Sequence, residues 1–166
     1  MKRINMRKIL LSSVLGLSLM TMSAMGQETQ TDTRMGAGVA FDGTGSAIKV
    51  PIDLDTIRIE PELSWSYVDT DKGGSNNNFY LGSGVYLLNN TSNDISLYYG
   101  GKFGIRRVDT GVNSDTVLEL AGIVGVEYFM HKQISLGGEV GLGLGFGDDT
   151  DLGTQTAVTL RYYFQN

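Results

Sequence analysis

Residues Ile134–Phe146 read ISLGGEVGLGLGF and alternate without a break. One set is Ile134, Leu136, Gly138, Val140, Leu142, Leu144 and Phe146; the other is Ser135, Gly137, Glu139, Gly141, Gly143 and Gly145. Successive side chains of a strand point to opposite faces, so a period of two makes this segment a strand with one apolar and one polar face. The same rhythm continues upstream. Over 57–67 the odd positions are Ile57, Ile59, Pro61, Leu63, Trp65 and Tyr67, and the even ones are Arg58, Glu60, Glu62, Ser64 and Ser66. Over 95–105 Ile95, Leu97, Tyr99, Gly101, Phe103 and Ile105 oppose Ser96, Tyr98, Gly100, Lys102 and Gly104. The stretch 117–128 is less regular, because Ile123 shares the polar face with Glu119 and Glu127.

Turn-forming clusters cut the pattern into eight strands, at 34–41, 46–52, 56–68, 78–88, 94–107, 116–128, 133–146 and 153–164. No window carries a helical stripe. Short and long connections alternate, which suits an antiparallel up-and-down meander with tight turns at one end and longer loops, 69–77, 108–115 and 147–152, at the other. Pro51 and Pro61 fall inside strands, and each removes a ladder donor, so a bulge or local break is expected there.

The chain before this region is of another kind. Lys2, Arg3, Arg7 and Lys8 precede an apolar run over 9–22, followed by Ala24, Met25 and Gly26. That order is a secretory signal peptide, expected to be cleaved after Gly26. Polar residues 27–33 then read as a flexible periplasmic tether, and 34–166 as one barrel domain. Losing the leader takes four of 13 basic residues and none of 18 acidic ones, leaving 9 − 18 = −9. Such an acidic chain lacks the basic footprint of a nucleic-acid binder. With no cysteine and one histidine, His131, it can hold neither disulfides nor a thiolate or multi-histidine metal centre, and no cofactor is implied.

Alternation does not say which face meets water. A soluble exported barrel would turn its apolar face inward around an apolar ligand; a membrane barrel turns it toward lipid. Three features favour lipid. The polar face is glycine-rich (Gly82, Gly84, Gly100, Gly104, Gly125 and Gly137 among others), as suits a narrow interior. Its charges balance: Lys49, Arg58, Lys102, Arg106 and Arg161 against Glu60, Glu62, Glu119, Glu127 and Glu139. An enclosed interior requires such pairing. On the apolar face, aromatics gather near strand ends: Phe41, Trp65, Tyr67, Phe79 and Phe146 at the longer-loop end, Tyr128, Tyr162 and Phe164 at the other. Two aromatic bands match the two interfaces of a bilayer.

The last strand carries Val158, Leu160, Tyr162 and Phe164 on one face. Signal peptide, eight strands, glycine-rich lumen and aromatic ending together resemble the small outer-membrane β-barrel proteins of Gram-negative bacteria, of the OmpA-barrel, OmpX and opacity-protein type. Gln165 and Asn166 follow Phe164, so the aromatic is third from last rather than terminal. The resemblance implies an all-β, eight-stranded antiparallel transmembrane barrel in the outer membrane. It implies insertion by the barrel-assembly machinery, contact with lipid and lipopolysaccharide, a monomeric state, an unidentified extracellular partner for the outward loops, and a role in envelope integrity or surface interaction.

Eight strands enclose little more than their own side chains, so the lumen is expected to be plugged rather than an open pore. The pairing expected first is Arg161 with Glu127 or Glu139. Enzymatic chemistry, such as lipid modification, would need a base in reach, and His131 falls in an expected tight turn. Acidic runs at 69–71 and 148–151 read as solvated loops rather than calcium sites, since no EF-hand spacing is present.

Overall fold

The computed structural model describes residues 33–42, 45–69, 75–92, 94–109, 114–147 and 150–164. The expected leader 1–26, and the tether apart from Thr33, lie outside the described residues. Nine strand segments follow in order: β1 Thr33–Phe41, β2 Ser46–Lys49, β3 Ile52–Leu54, β4 Ile57–Asp69, β5 Ser75–Asn90, β6 Ile95–Asp109, β7 Ser114–His131, β8 Ile134–Phe146 and β9 Thr150–Tyr163. Each pairs antiparallel with its neighbours, and β1 closes the ring on β9 from Gly36↔Tyr163 to Phe41↔Val158. Closure leaves no free sheet edge around the middle of the wall, the condition for crossing hydrocarbon with β-structure.

β2 and β3 are two halves of one stave, so the barrel has eight. Lys49 stands opposite Gly38 and Glu62; three residues on, Ile52 stands opposite Met35 and Ile59, so no residue is gained or lost. The interruption at Val50 and Pro51 has a chemical cause. Gly36 N donates to Pro51 O (2.9 Å) and Val50 N donates to Pro61 O (3.0 Å). Neither proline has an N–H to return the bond. Both losses fall on the same two residues of the second stave, which breaks there while β4 runs through Pro61 unshifted. A bulge does occur, at Phe129/His131 in β7, where no proline is present.

Carried around all eight interfaces, the registers advance the chain by roughly ten residues per circuit, a stagger that tilts strands by about 35–45° and keeps the barrel narrow. Asp55, with φ 56°, turns the two-residue connection between β3 and β4.

Several strands outrun their apolar pattern. β5, β6 and β7 have 16, 15 and 18 residues. The connections shrink to 70–74, 110–113 and 147–149, shorter than the 69–77, 108–115 and 147–152 expected. Alternation of hydropathy stops where lipid stops, but backbone pairing continues above it with polar side chains on both faces.

Burial is inverted relative to a soluble protein. The largest fully buried side chains are Arg58, Arg161, Tyr86, Tyr98, Tyr163, Lys49, Glu60 and Glu127. The exposed set is aliphatic and aromatic, with Leu142 62% and Val124 59% exposed. The aliphatics therefore do not converge on a ligand cavity, as a soluble apolar-ligand barrel would require.

Candidate functional site

The lumen holds every concentrated cluster of polar chemistry among the described residues, in three levels. Nearest the tight turns, Arg58 bonds Asp53 through Nε (2.6 Å) and Nη2 (3.1 Å), and its Nη2 lies 2.8 Å from Glu127 Oε2. Glu127 also accepts from Ser135 and from Tyr163 Oη (2.8 Å). Arg34 reaches Asp53 (3.0 Å) and lies over the rings of Phe129 and Tyr163. Asp53, expected in a turn, is inward-facing in β3, continuing the parity of Lys49 and Pro51.

At mid-height Arg161 is the hub. Its Nε and Nη2 bond the two oxygens of Glu60 (2.8 and 3.1 Å), Nη2 also bonds Glu139 (2.8 Å), and Nη1 donates to Thr159 (2.8 Å). Glu127 is 3.8 Å from Nη1. Glu127 and Glu139 thus both lie beside Arg161, but its bidentate partner is Glu60, from across the barrel. Lys49 Nζ sits 2.8 Å from Glu139 and 3.1 Å from Glu60, and Tyr98 Oη donates to Glu139 (2.9 Å). Lys102 Nζ pairs with Glu62 at 2.8 Å. Toward the loops, Arg106 Nε pairs with Glu119 at 2.8 Å. All ten charged residues singled out from the sequence lie on the inner wall, each with an opposite charge within 4 Å.

Tyrosines fill the remaining space, and their fit explains the glycines. A Cβ at Gly84 would collide with Tyr86 Oη, and one at Gly125 would collide with the Tyr98 ring. Gly82 and Gly104 both lie under Tyr80. The segment Tyr80-Leu-Gly-Ser-Gly-Val-Tyr86 carries the signal: on the inward face two tyrosines flank two glycines, the mixture of large and small that a small barrel needs. Tyr86 and Tyr98 meet edge to face at 5.4 Å and pack with Ile123, which explains an apolar residue on the polar face. Parity already places Tyr98 on the polar face, but nothing in the sequence pattern marks it, Tyr80 or Tyr86 as the bulk that fills the lumen, because tyrosine is equally common on lipid-facing positions such as Tyr99 and Tyr128.

Above Lys49, Glu62 and Glu139 the lumen widens into a cavity of about 520 Å³ toward the loop end, with Ser64, Asn78 and Gln155 among its walls. On the outer surface Phe41, Trp65, Phe79 and Phe146 are exposed toward the loop end, and Tyr128, Tyr162 and Phe164 toward the tight turns. The Tyr67 side chain lies outside the described residues. Tyr99 and Phe103 add outward aromatics between the bands. His131 ends β7, exposed, with Nδ1 accepting from Gln133 N (3.4 Å). Among the described residues no acidic or histidine cluster has metal-site geometry; the run at 148–149 lies outside them.

No family model matches the sequence, and no curated protein sequence matches it. Solved structures do match in shape. Neisserial surface protein A (NspA) superposes with a TM-score of 0.59 at 15% identity, covering 80% of this chain and 94% of that one. A major outer membrane protein from Thermus thermophilus gives 0.53 at 13%, covering 80% and 99%. Ail, the attachment invasion locus protein of Yersinia pestis, gives 0.48 at 13%, covering 80% and 95%. With its apolar exterior and ionic interior, this chain has the fold of the eight-stranded outer-membrane β-barrels.

Proposed function

We propose that the protein is an integral outer-membrane barrel whose lumen is closed at its centre and whose role is structural or interactive, exercised through its loop end. The carrying observation is the Arg161–Glu60–Glu139–Lys49 cluster, fully or almost fully buried across the middle of the barrel, with Tyr86 and Tyr98 packed beside it. Opening a path there would separate ion pairs in a low-dielectric interior, which costs several kcal/mol. A cleaved leader 1–26 and a periplasmic tether 27–33 fit this location, as does insertion by the barrel-assembly machinery. The aromatic bands would anchor a monomer among lipid and lipopolysaccharide, while the outward loops would meet an extracellular partner. The ionic residues act as a strut, not as catalysts: their charges are mutually satisfied, and the one histidine is at the opposite end from the cavity.

Two measurements test this. Membranes carrying the full chain should retain it through alkaline extraction, and it should show heat-modifiable gel mobility. In planar bilayers the refolded barrel should give no conductance steps above the lipid background; regular open-channel steps would overturn the closed lumen.

A further inference from the structure

The wall is lower on one side. The β1–β2 hairpin ends at 42–45, and its outermost neighbour pairs are Phe41↔Val158 on β9 and Ala47↔Ser64 on β4. Asp42 and Gly45 close the hairpin just above them, Gly45 against Ser66, and beyond that β9 runs on through 150–156 and β4 through 67–69 with no strand between among the described residues. Two staves are missing there, a gap of three strand spacings or roughly 14 Å. Phe164 N donates to Met35 O, so even-numbered residues of β9 aim their amides toward β1. The backbone groups of Thr150, Leu152 and Thr154 therefore face the gap.

The gap lies within the apolar band. Next to it, β8 pairs Leu142, Leu144 and Phe146 with Thr154, Leu152 and Thr150, and all three β8 side chains are exposed outward. Trp65 and Leu152 are exposed on the flanking strands. The outward positions bordering the gap itself are polar: Ser46, Thr154 and Thr156. Behind it lies the 520 Å³ cavity, which Thr154 and Thr156 line together with the inward Gly153 and Gln155. Unpaired backbone is tolerated at membrane depth only where it lines a polar cavity.

We propose that this gap is a lateral portal through which the polar headgroup of an outer-leaflet amphiphile enters the cavity while its tail stays in the bilayer against Trp65 and Leu152. Acidic side chains outnumber basic ones five to three on the cavity wall among the described residues, with Asp42, Glu119 and Asp151 against Lys49, Lys102 and Arg106 once Glu62 and Glu139 are added, which favours a cationic headgroup over an anionic one. The inference rests on the barrel being embedded in lipid, and the test separates the two.

The full barrel is placed in nanodiscs of deuterated phospholipid and titrated with protonated n-dodecyltrimethylammonium or n-dodecyl sulfate, reading intermolecular NOEs. The ammonium methyls, or the C1 methylene beside the sulfate, should show saturable NOEs to the side-chain amides of Asn78 and Gln155, and tail protons to Trp65 and Leu152. Half-saturation should come at a concentration about threefold or more lower for the ammonium. Gly153→Phe fills the cavity mouth from a position where an added Cβ meets nothing within 4 Å, and should abolish the NOEs inside the lumen while leaving the fold intact. Contacts confined to outward side chains, or lumen contacts indifferent to Gly153→Phe, overturn the portal; preference for the sulfate overturns the headgroup assignment. In matched nanodiscs of protonated phospholipid, absence of lipid-chain NOEs at Leu142 and Val124, both exposed outward, would instead sink the membrane embedding itself.

Discussion

Replacing Arg161 by alanine should be among the most damaging single changes in this barrel. The guanidinium holds Glu60 bidentately at 2.8 and 3.1 Å and Glu139 at 2.8 Å, with both carboxylates almost fully buried. After removal, one cation, Lys49, remains within reach of both, at 3.1 and 2.8 Å. Breaking one partner of a buried ion pair costs about 3–5 kcal/mol, because the stranded charge keeps its desolvation penalty. With a urea slope of about 1–3 kcal/mol per molar, the midpoint should fall by at least about 1 M. The assay is urea unfolding of the refolded barrel in detergent or vesicles, followed by heat-modifiable gel mobility. A double-mutant cycle with Glu60→Gln identifies the cause. If the cost is the stranded carboxylate, Glu60→Gln in the Arg161→Ala background should recover at least about 1 kcal/mol. An unchanged midpoint for Arg161→Ala, or strict additivity in the cycle, would refute the enclosed network; both would mean that water screens the charges.

Leu142→Arg places a charge on the lipid face and should cost roughly 2–4 kcal/mol in bilayers, measured by the same unfolding assay, with a smaller loss in detergent. Gly125→Ala drives a methyl into the Tyr98 ring and should destabilise by about 1–3 kcal/mol; adding Tyr98→Ala should reduce the further penalty of the methyl to near zero. Ile123→Ala removes the packing partner of Tyr86 and Tyr98 and should lower stability by about 2–4 kcal/mol, without creating conductance in planar bilayers, since the ion cluster beneath is untouched. His131→Ala should leave unfolding midpoint and membrane retention unchanged, because the ring is exposed at a strand end.

The number of staves, their direction and their two faces were legible from residue order alone, because a period of two is a local property of the chain. Parity sends Glu60, Glu127, Glu139 and Arg161 to one side and Leu136, Val140 and Leu142 to the other. The glycines and balanced charges told which side is enclosed, since a narrow interior tolerates neither bulk at every position nor unpaired ions. Who pairs with whom emerged only from the closed ring. Arg161 and Glu60 are 101 residues apart and meet through its stagger, and no local pattern encodes that shear. The same holds for the glycine seats under Tyr80, Tyr86 and Tyr98, which are contacts on or between neighbouring staves. Strand ends were misjudged at the loop side because hydrogen bonding continues past the edge of the apolar band, where hydropathy carries no signal. The break at Val50 and Pro51 required both prolines to converge on one stave, and the gap beside the first hairpin exists only because a short hairpin stands between long neighbours. These are facts of register, and register is set by the ring as a whole.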